Sequence, residues 1–493
     1  MSAHAGSPSL TDAKGSLDAP HANRRVAALA ACLDARRGRV VALLADNGIE
    51  WLVAERAIRS SGCVALPLPL FFTDAQCRHA LDAAGVGALL TDDPSRAARL
   101  GFPTGAALPG AGSLSCHART PQRQVPLPPG TTTITFTSGT TGQPKGVCLS
   151  GEQLSAVSGS LGAIARELGI RRHLCMLPLA VLLENVAGAD VAWQVGAECI
   201  VPPLEAVGLK GSSQFDVRTA LAAIGRWRPE SLIVLPQMLT ALVAAVEAGA
   251  RVAPGLKLVP VGGARVSADL IRRARVLGLP ACEGYGLSEA GSVVALNLPT
   301  DAPGSVGRVL PHLRVEIRAA DSEGAGEILV HGAASLGYLG EPARAGGPLH
   351  TGDIGRIDAH GRLHVTGRIK HRIITGFGRN VAPEWPESEL LAAPSIAQAV
   401  VFGESRPSLC AVIVPRGPLA DDALDAIVQA ANARLPDYAR IGCWLRADAP
   451  FSPANGQTTD NGRVRRDAVQ AWYGERLAAL YAATAGDSAH VLL

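Results

Sequence analysis

The 493-residue chain has little that would support several common classes of protein. Its ten cysteines are scattered singly, and neither a C-x-x-C pair nor an H-E-x-x-H motif occurs, which disfavours a disulfide framework and a zinc site. The G-x-S-x-G elbow of many hydrolases is also missing. A net charge of +3 is too small to indicate nucleic acid or an anionic membrane as a partner. We therefore expect a globular protein of a reducing compartment, the cytoplasm.

Long uninterrupted apolar runs are absent as well. The most apolar stretches, 175–193 and 231–250, are interrupted by polar residues or proline and predict buried core, so we expect no integral membrane segment. Residues 1–20 lack the apolar segment of a signal peptide and predict a disordered tail. Lysine is scarce, with 5 residues against 41 arginines, which makes Lys145 and Lys370 conspicuous because both fall inside motifs.

The periodicity of the apolar residues predicts the architecture. From about residue 24 to residue 277, strands alternate with helices, which favours parallel sheets covered on both faces. Residues 314–366 then alternate with a period of two and predict a small antiparallel sheet or a distorted barrel. Strand and helix signals resume beyond residue 370 and predict a compact C-terminal domain of about 120 residues.

The most informative stretch is T-F-T-S-G-T-T-G-Q-P-K-G, residues 135–146. Glycines let the backbone turn sharply, and hydroxyls with successive N–H groups form an anion-binding nest. This composition is typical of a loop that holds phosphates. It is not a Walker loop, because Pro144 occupies the place of the second glycine.

Five later stretches add to this one: G-G-A at 262–264, E-G-Y-G-L-S-E at 283–289, G-S-V-G-R at 304–308, T-G-D at 351–353, and G-R-I-K at 367–370 followed by a glycine-rich segment at 376–384. In order and spacing the chain resembles the adenylate-forming superfamily of acyl-CoA synthetases, adenylation domains and luciferases. The ending N-G-R-V-R-R at 461–466 and the segment Pro383–Trp385 resemble the long-chain fatty acyl-CoA synthetase branch.

The resemblance implies an α/β fold with a large N-terminal domain, residues 21–369, of two parallel-sheet subdomains and a small β-barrel. A small mobile α+β domain, residues 370–493, would follow and turn about Lys370. The reaction implied is ATP-dependent activation of a carboxylic acid to acyl-AMP with release of pyrophosphate. The acyl group would then pass to a thiol of CoA or of an acyl carrier protein.

The resemblance also implies roles for individual residues. Lys145, Glu289, Thr141 and Arg463 would be catalytic, and Glu289 would bind Mg²⁺, which takes hard oxygen ligands. Val181 and Glu184 would belong to the acyl pocket. The residues expected to bind ATP are Thr137, Ser138, Gly139, Thr140, Gly142, Gly263, Ala264, Gly284, Tyr285, Gly286, Ser288, Asp353 and Arg368.

Two departures from the family pattern qualify this assignment. Arg463 stands where the family has a catalytic lysine, and its planar fork does not act as a lysine point charge. Val181 stands where histidine is frequent, which favours an apolar substrate, and no aspartate is present to bind the ammonium of an amino acid. Two alternatives stay open: an acyl-adenylate former with a non-thiol acceptor, and a nucleotide- or acyl-binding protein whose turnover was lost through Arg463.

Overall fold

The fold is described from a computed structural model. It covers residues 7–121, 123, 125–137, 145–211, 214–321, 324–332, 334–377, 379–459 and 462–488. Among these residues no helix is both long and apolar enough to cross a membrane.

The helices begin where the sequence offers caps. Side chains of Asp18, Thr73, Ser150 and Ser267 each accept a hydrogen bond from a backbone N–H of the first turn that follows, which otherwise has no partner. The helices are α1 (Ala19–Leu33), α2 (Ile49–Ser60), α3 (Asp74–Ala83), α4 (Pro94–Arg99), α5 (Gly151–Glu167), α6 (Leu182–Glu184), α7 (Val191–Gln194), α8 (Val217–Trp227), α9 (Pro236–Glu247), α10 (Ala268–Val276), α11 (Glu384–Leu391), α12 (Asp421–Asn432) and α13 (Arg466–Ser488).

The strands belong to several sheets and are numbered in chain order. They are β1 (Ser9–Thr11), β2 (Ser16–Asp18), β3 (Val40–Leu44), β4 (Val64–Pro67), β5 (Ala88–Thr91), β6 (Thr104–Ala107), β7 (Ser115–Ala118), β8 (Thr131–Thr137), β9 (Lys145–Ser150), β10 (Arg172–Leu174), β11 (Glu198–Ile200), β12 (Leu209–Lys210), β13 (Gln214–Phe215), β14 (Ser231–Leu232), β15 (Val259–Val261), β16 (Ala281–Tyr285), β17 (Ala295–Leu296), β18 (Arg308–Val309), β19 (Leu313–Arg318), β20 (Gly326–Gly332), β21 (Gly337–Tyr338), β22 (Leu349–Ile357), β23 (Leu363–Arg368), β24 (Ile373–Ile374), β25 (Asn380–Val381), β26 (Ile396–Phe402), β27 (Leu409–Pro415) and β28 (Ile441–Arg446).

Two sheets with parallel centres form the N-terminal domain, as the sequence predicts. The first has the order β21-β9-β8-β4-β3-β5-β7-β6, and its strands β3, β4, β5 and β8 run parallel. Every residue of β3 is buried, because a central parallel strand is covered on both faces. The second has the order β14-β10-β11-β1-β2. Residues of α1 and α2 join both sheets in one apolar core.

Of the two forms predicted for residues 314–366, a small antiparallel sheet or a distorted barrel, the antiparallel sheet is observed. Strands β19, β20, β22 and β23 form an antiparallel sheet in that order, so its first and last strands lie at opposite edges. Among the described residues this unit is an open sheet, with its own apolar cluster around Ile328 and Val330.

The prediction of a disordered tail is wrong for residues 9–20, which contain two strands and the start of α1. Strand β1 pairs in parallel with β11, and β2 folds back on β1 as a hairpin. Leu10 is completely buried in the core shared by the two sheets. The composition of this segment is that of a loop. Its folded structure is stabilised by the burial of Leu10 and by the two strand pairings. Residues 1–6 lie outside the described residues.

The helical region 182–194 is irregular. α6 is followed by a π-helical segment, Asn185–Asp190, and then by α7. π-Helical turns are rare and occur frequently at functional sites. This one contributes Ala187 and Gly188 to the wall of the cavity described below.

The C-terminal domain has a three-stranded sheet of order β26-β27-β28 with α11, α12 and α13 packed against it. In the conformation observed, the end of α11 lies on the N-terminal domain. Ser267 donates to Glu389 Oε2 at 2.8 Å, and Arg273 donates to the backbone oxygen of Ala392 at 3.3 Å. Ala392 is part of the apolar core formed by α8, α9 and α10.

Candidate active site

The predicted phosphate loop connects two paired strands. Thr137 ends β8, Lys145 begins β9, and their Cα atoms are partners in the antiparallel ladder. The structure therefore places these two predicted residues side by side at the base of the loop. The other predicted loop residues, Ser138, Gly139, Thr140, Thr141 and Gly142, lie outside the described residues.

The Lys145 side chain is half exposed and weakly held. Its Nζ lies 3.2 Å from Glu341 Oε1 and 5.2 Å from the centre of the Tyr338 ring. An ion pair with both side chains about half exposed stabilises a protein by at most about 1 kcal/mol. A phosphate entering the loop can therefore replace Glu341 as the partner of Lys145 at little cost.

Tyr338 links Lys145 to Glu289, and sequence reasoning did not identify it. Its hydroxyl donates to Glu289 Oε1 at 2.8 Å. Burial and the neighbouring Glu289 raise the pKa of Tyr338, so the hydroxyl keeps its proton and stays a donor. Tyr338 reaches this place because β21 pairs with β9, a contact that no motif signals.

Backbone contacts fix the segment that carries Glu289. Its carbonyl oxygen accepts from Gln153 Nε2 at 3.1 Å and from the Ser335 N–H at 2.6 Å. The turn before it requires Gly286, since a Cβ there would lie 1.7 Å from the Ser292 oxygen. Ser288 begins the short 3-10 turn Ser288–Ala290, which presents Glu289.

A second group joins three predicted residues. The Tyr285 hydroxyl donates to Asp353 Oδ2 at 2.6 Å, and Arg368 Nε lies 2.8 Å from Asp353 Oδ1. Asp353 and Arg368 are Cα partners across β22 and β23, which explains why they meet. Burial raises the pKa of Asp353, and the positive charge of Arg368 opposes that rise. Burial and Asp353 together raise the pKa of Tyr285 well above its ordinary value.

The C-terminal domain contributes Arg463 to the edge of this group. The charge of Arg463 is close enough to lower the pKa of Asp353, although burial of that carboxyl has the larger effect. The Arg463 side chain is exposed, and its backbone N–H donates to Thr459 Oγ1 at 3.1 Å. The residue that replaces the expected lysine therefore lies within electrostatic range of Asp353 and Arg368 in the observed conformation.

One cavity of about 420 Å³ runs from these motifs into the N-terminal domain. Val181 lines it, and most of the other lining side chains are aliphatic or aromatic. The predicted residues Thr137, Gly263, Gly284, Tyr285, Gly286 and Ser288 line it as well. Ala264 follows Gly263 on an exposed turn and does not line it.

Glu184, predicted for the acyl pocket, lies behind the wall of the cavity. It is completely buried, and its Oε2 accepts from the N–H groups of Met176 at 3.0 Å and Leu177 at 2.8 Å. Lys370, predicted as the hinge, is exposed in a 3-10 turn, Ile369–His371, directly after β23. Seven of the described site residues therefore line the cavity, namely Thr137, Val181, Gly263, Gly284, Tyr285, Gly286 and Ser288. The others do not line it: Lys145, Glu184, Ala264, Glu289, Asp353, Arg368, Lys370 and Arg463.

Comparison with known proteins agrees with this arrangement. Residues 3–339 match the family described as AMP-binding enzyme, and residues 370–485 match the AMP-binding enzyme C-terminal domain. Over 404 residues the chain is 31% identical to a 3-[(3aS,4S,7aS)-7a-methyl-1,5-dioxo-octahydro-1H-inden-4-yl]propanoyl:CoA ligase of Mycobacterium tuberculosis, covering 74% of this chain and 75% of that one. Over 251 residues it is 34% identical to the long-chain-fatty-acid–CoA ligase FadD15 of Mycobacterium bovis, covering 45% of this chain and 41% of that one.

A solved structure shares the whole architecture. The amide bond synthetase McbA from Marinactinospora thermotolerans superimposes with a TM-score of 0.74 at 26% identity, covering 95% of this chain and 97% of that one. The chain therefore belongs to the AMP-binding enzyme family, as an acid–thiol ligase of the AMP-forming kind.

Proposed function

We propose that this enzyme activates a fatty acid or another apolar carboxylic acid as its acyl-adenylate and transfers the acyl group to a thiol. The observation that carries the proposal is the apolar cavity that Tyr285, Gly286 and Ser288 help to line. A carboxylate bound there with its apolar part inward would meet a nucleotide held by the same motifs. The thiol would belong to CoA or to the phosphopantetheine of an acyl carrier protein.

Binding of ATP fits the residues that the structure describes. Asp353 uses one lone pair of each oxygen for Tyr285 and Arg368, and each oxygen retains a second lone pair for a ribose hydroxyl. Arg368 is a donor for phosphate or ribose, and Tyr285 offers an aromatic face. Glu289 is a hard carboxylate ligand that would hold Mg²⁺, and the ion would neutralise phosphate charge when bound.

The first half-reaction brings two anions together, so electrostatic stabilisation is the main requirement. We assign the β- and γ-phosphates to Lys145, Thr137 and the loop residues Ser138, Gly139, Thr140 and Thr141. Arg463 would contact the α-phosphate or the acyl carboxylate from the C-terminal domain. The influence of its charge on Asp353 supports a conformation suited to this step.

The second half-reaction would follow a rotation of residues 370–493 about Lys370. The exposed 3-10 turn at Ile369–His371 supports a pivot there, because few contacts have to break within it. Rotation would withdraw Arg463 and bring the glycine-rich segment 376–384 toward the adenylate.

The test is ATP–pyrophosphate exchange over a panel of fatty, aryl-substituted and amino acids, with AMP and thioester measured after CoA or a carrier protein is added. We expect exchange with apolar acids and AMP as the nucleotide product. Exchange without consumption of either thiol would indicate another acceptor such as an amine. ADP as the product, or nucleotide binding without exchange for any acid, would contradict the proposal.

A pair of lysine variants tests the assignment of the phosphate loop. Lys145→Ala should lower the exchange rate about 100-fold or more, because it removes a positive charge from the phosphates. Lys14→Ala is the matched control, since Lys14 is exposed and lies outside the cavity. Equal rates in the two variants would remove Lys145 from this role.

A further inference from the structure

The cavity is apolar along most of its wall but contains one polar group far from the nucleotide motifs in sequence. His173 and Ser231 both line it, although they are 4% and 6% exposed. They are Cα partners in the parallel pair of β10 and β14, so their side chains point to the same face of the sheet. The register of this sheet thus places two polar side chains together in the wall of an apolar cavity.

Hydrogen bonds connect this wall to a buried carboxylate. Ser231 Oγ lies 3.0 Å from His173 Nδ1, and His173 Nε2 lies 2.9 Å from Glu184 Oε1. The other Glu184 oxygen already accepts two backbone N–H groups. Since the carboxylate can only accept, the His173 Nε2–H donates to it, and the imidazole is fixed in orientation.

The proton on the other imidazole nitrogen decides what Ser231 offers. With a neutral ring, Nδ1 accepts and the Ser231 hydroxyl donates to it, which leaves lone pairs of Oγ for a donor in the cavity. With a protonated ring, Nδ1–H donates to Oγ, and the hydroxyl proton is left for an acceptor in the cavity. In both states Ser231 has hydrogen-bonding capacity directed at a ligand.

The backbone near the His173–Glu184 hydrogen bond has a glycine where a side chain would not fit. Gly188 lies in the π-helical segment Asn185–Asp190, and a Cβ at this position would lie 2.3 Å from Glu184 Oε1 and 2.5 Å from His173 Nε2. Any larger residue would displace the His173–Glu184 hydrogen bond. The absence of a side chain at Gly188 therefore allows the His173–Glu184 hydrogen bond to form. It also leaves space in the cavity, which Gly188 lines.

We infer that Ser231, positioned by His173 and Glu184, binds a neutral oxygen function, a hydroxyl or a ketone, at the far end of the acyl substrate. This inference deepens the proposed function and rests on it. A second carboxylate is disfavoured, because the His173–Glu184 pair carries no net positive charge to meet it. An ammonium is disfavoured because Glu184 is already satisfied by three donors behind the wall.

A metal site is the competing interpretation, since ligand atoms of His173, Cys175 and Glu184 lie within 4.8 Å of one another. Zinc bonds of about 2.0–2.2 Å in tetrahedral geometry would hold the nitrogen and oxygen about 3.3 Å apart. The 2.9 Å observed is a hydrogen-bond length. Contact with Cys199 and burial raise the pKa of Cys175, which keeps its sulfur a thiol and a poor metal ligand.

The experiment compares matched acids in ATP–pyrophosphate exchange. The first pair of probes is phenylpropanoic acid and its para-hydroxy derivative. The second pair is octanoic acid and the keto-octanoic acid whose ketone carbon is bonded to the terminal methyl group. The quantity measured is the ratio of kcat/KM for the oxygenated acid to that for its plain parent. We expect the wild type to favour the oxygenated member of at least one pair, and Ser231→Ala to lower that ratio about 10-fold.

Matched variants separate recognition from damage to the fold. Ser231→Thr keeps the hydroxyl and should keep the ratio, whereas Glu184→Gln should lower it by loosening His173. Ser61→Ala is the control for loss of a buried serine hydroxyl, because the Ser61 hydroxyl donates to the Ile58 oxygen at 2.8 Å and Ser61 does not line the cavity. An unchanged ratio in Ser231→Ala, or a wild-type preference for the plain acids, would overturn the inference while leaving the proposed function intact. Absence of exchange with every acid would overturn both.

Discussion

Arg463 is the residue at which this chain departs most clearly from the family pattern, and its charge is close enough to act on Asp353 and Arg368. Guanidinium and ammonium both carry the charge that a phosphoryl transition state needs, but they differ in shape. We expect Arg463→Ala to lower the exchange rate about 100-fold and Arg463→Lys to retain most of it.

The neighbouring Arg465 gives the control for this prediction, because it is also exposed and lies two residues away. Arg465→Ala should exchange at nearly the wild-type rate. An Arg463→Ala rate equal to that of Arg465→Ala would show that adenylation proceeds without a cation from this segment.

Asp353 gives a prediction about pH. Burial raises the pKa of its carboxyl above the ordinary value of 3.8, so protonation begins at a less acidic pH than for a free aspartate. A protonated carboxyl cannot accept from both ribose hydroxyls, and nucleotide affinity should therefore fall as pH decreases through the raised pKa.

Calorimetric titration with ATP at a series of pH values checks this prediction. Asp353→Asn should bind ATP about 10-fold more weakly at neutral pH and should lose this part of the pH dependence. Protonation of the ATP phosphates affects binding to wild type and variant equally. The difference between their pH profiles therefore reports the Asp353 carboxyl alone. A parallel pH profile in wild type and variant would contradict a role for the Asp353 charge.

At the scale of elements, the sequence predicted most helices and strands but misread the N-terminal segment. β1 is only three residues long, and its pairing partner β11 lies nearly 190 residues away, so no local pattern could reveal it. The sequence did not predict the π-helical turn at Asn185–Asp190 for a related reason. The distortion of this turn accommodates the buried His173–Glu184 hydrogen bond, which is a tertiary contact.

Leu10 tests whether the β1–β2 hairpin is an integral part of the fold. Leu10→Ala removes a completely buried side chain from the core between the two sheets and should reduce the free energy of unfolding by about 2–5 kcal/mol. Leu17→Ala, at the partly buried partner position on β2, should cost less. Urea denaturation followed by circular dichroism measures both, and equal small losses would show that the hairpin is not needed for stability.

For the whole molecule, the observed arrangement is one in which the two domains are in contact through α11. The contacts Ser267–Glu389 and Arg273–Ala392 hold the C-terminal domain in an orientation in which the charge of Arg463 acts on Asp353. The family resemblance implies a second orientation for thioester formation, reached by rotation at Lys370.

Lys370→Pro tests that rotation. Proline fixes φ near −65°, which is compatible with the observed 3-10 turn but resists a change at this position. We expect thioester formation to fall much more than ATP–pyrophosphate exchange, with Lys370→Ala as the control for loss of the side chain. Equal loss of both half-reactions in Lys370→Pro would argue against a pivot at this residue.

The sequence by itself determined the family, the order of the motifs and the chemistry of their side chains. These properties follow from residue type and spacing within short segments such as 135–146 and 283–289. Only the tertiary structure decided which groups meet: Tyr338 on Glu289, Arg368 on Asp353, and Ser231 on His173. Each of these contacts depends on strand pairing or on packing between segments that are distant in the chain, and such pairing is set by the register of whole sheets, which no single motif encodes.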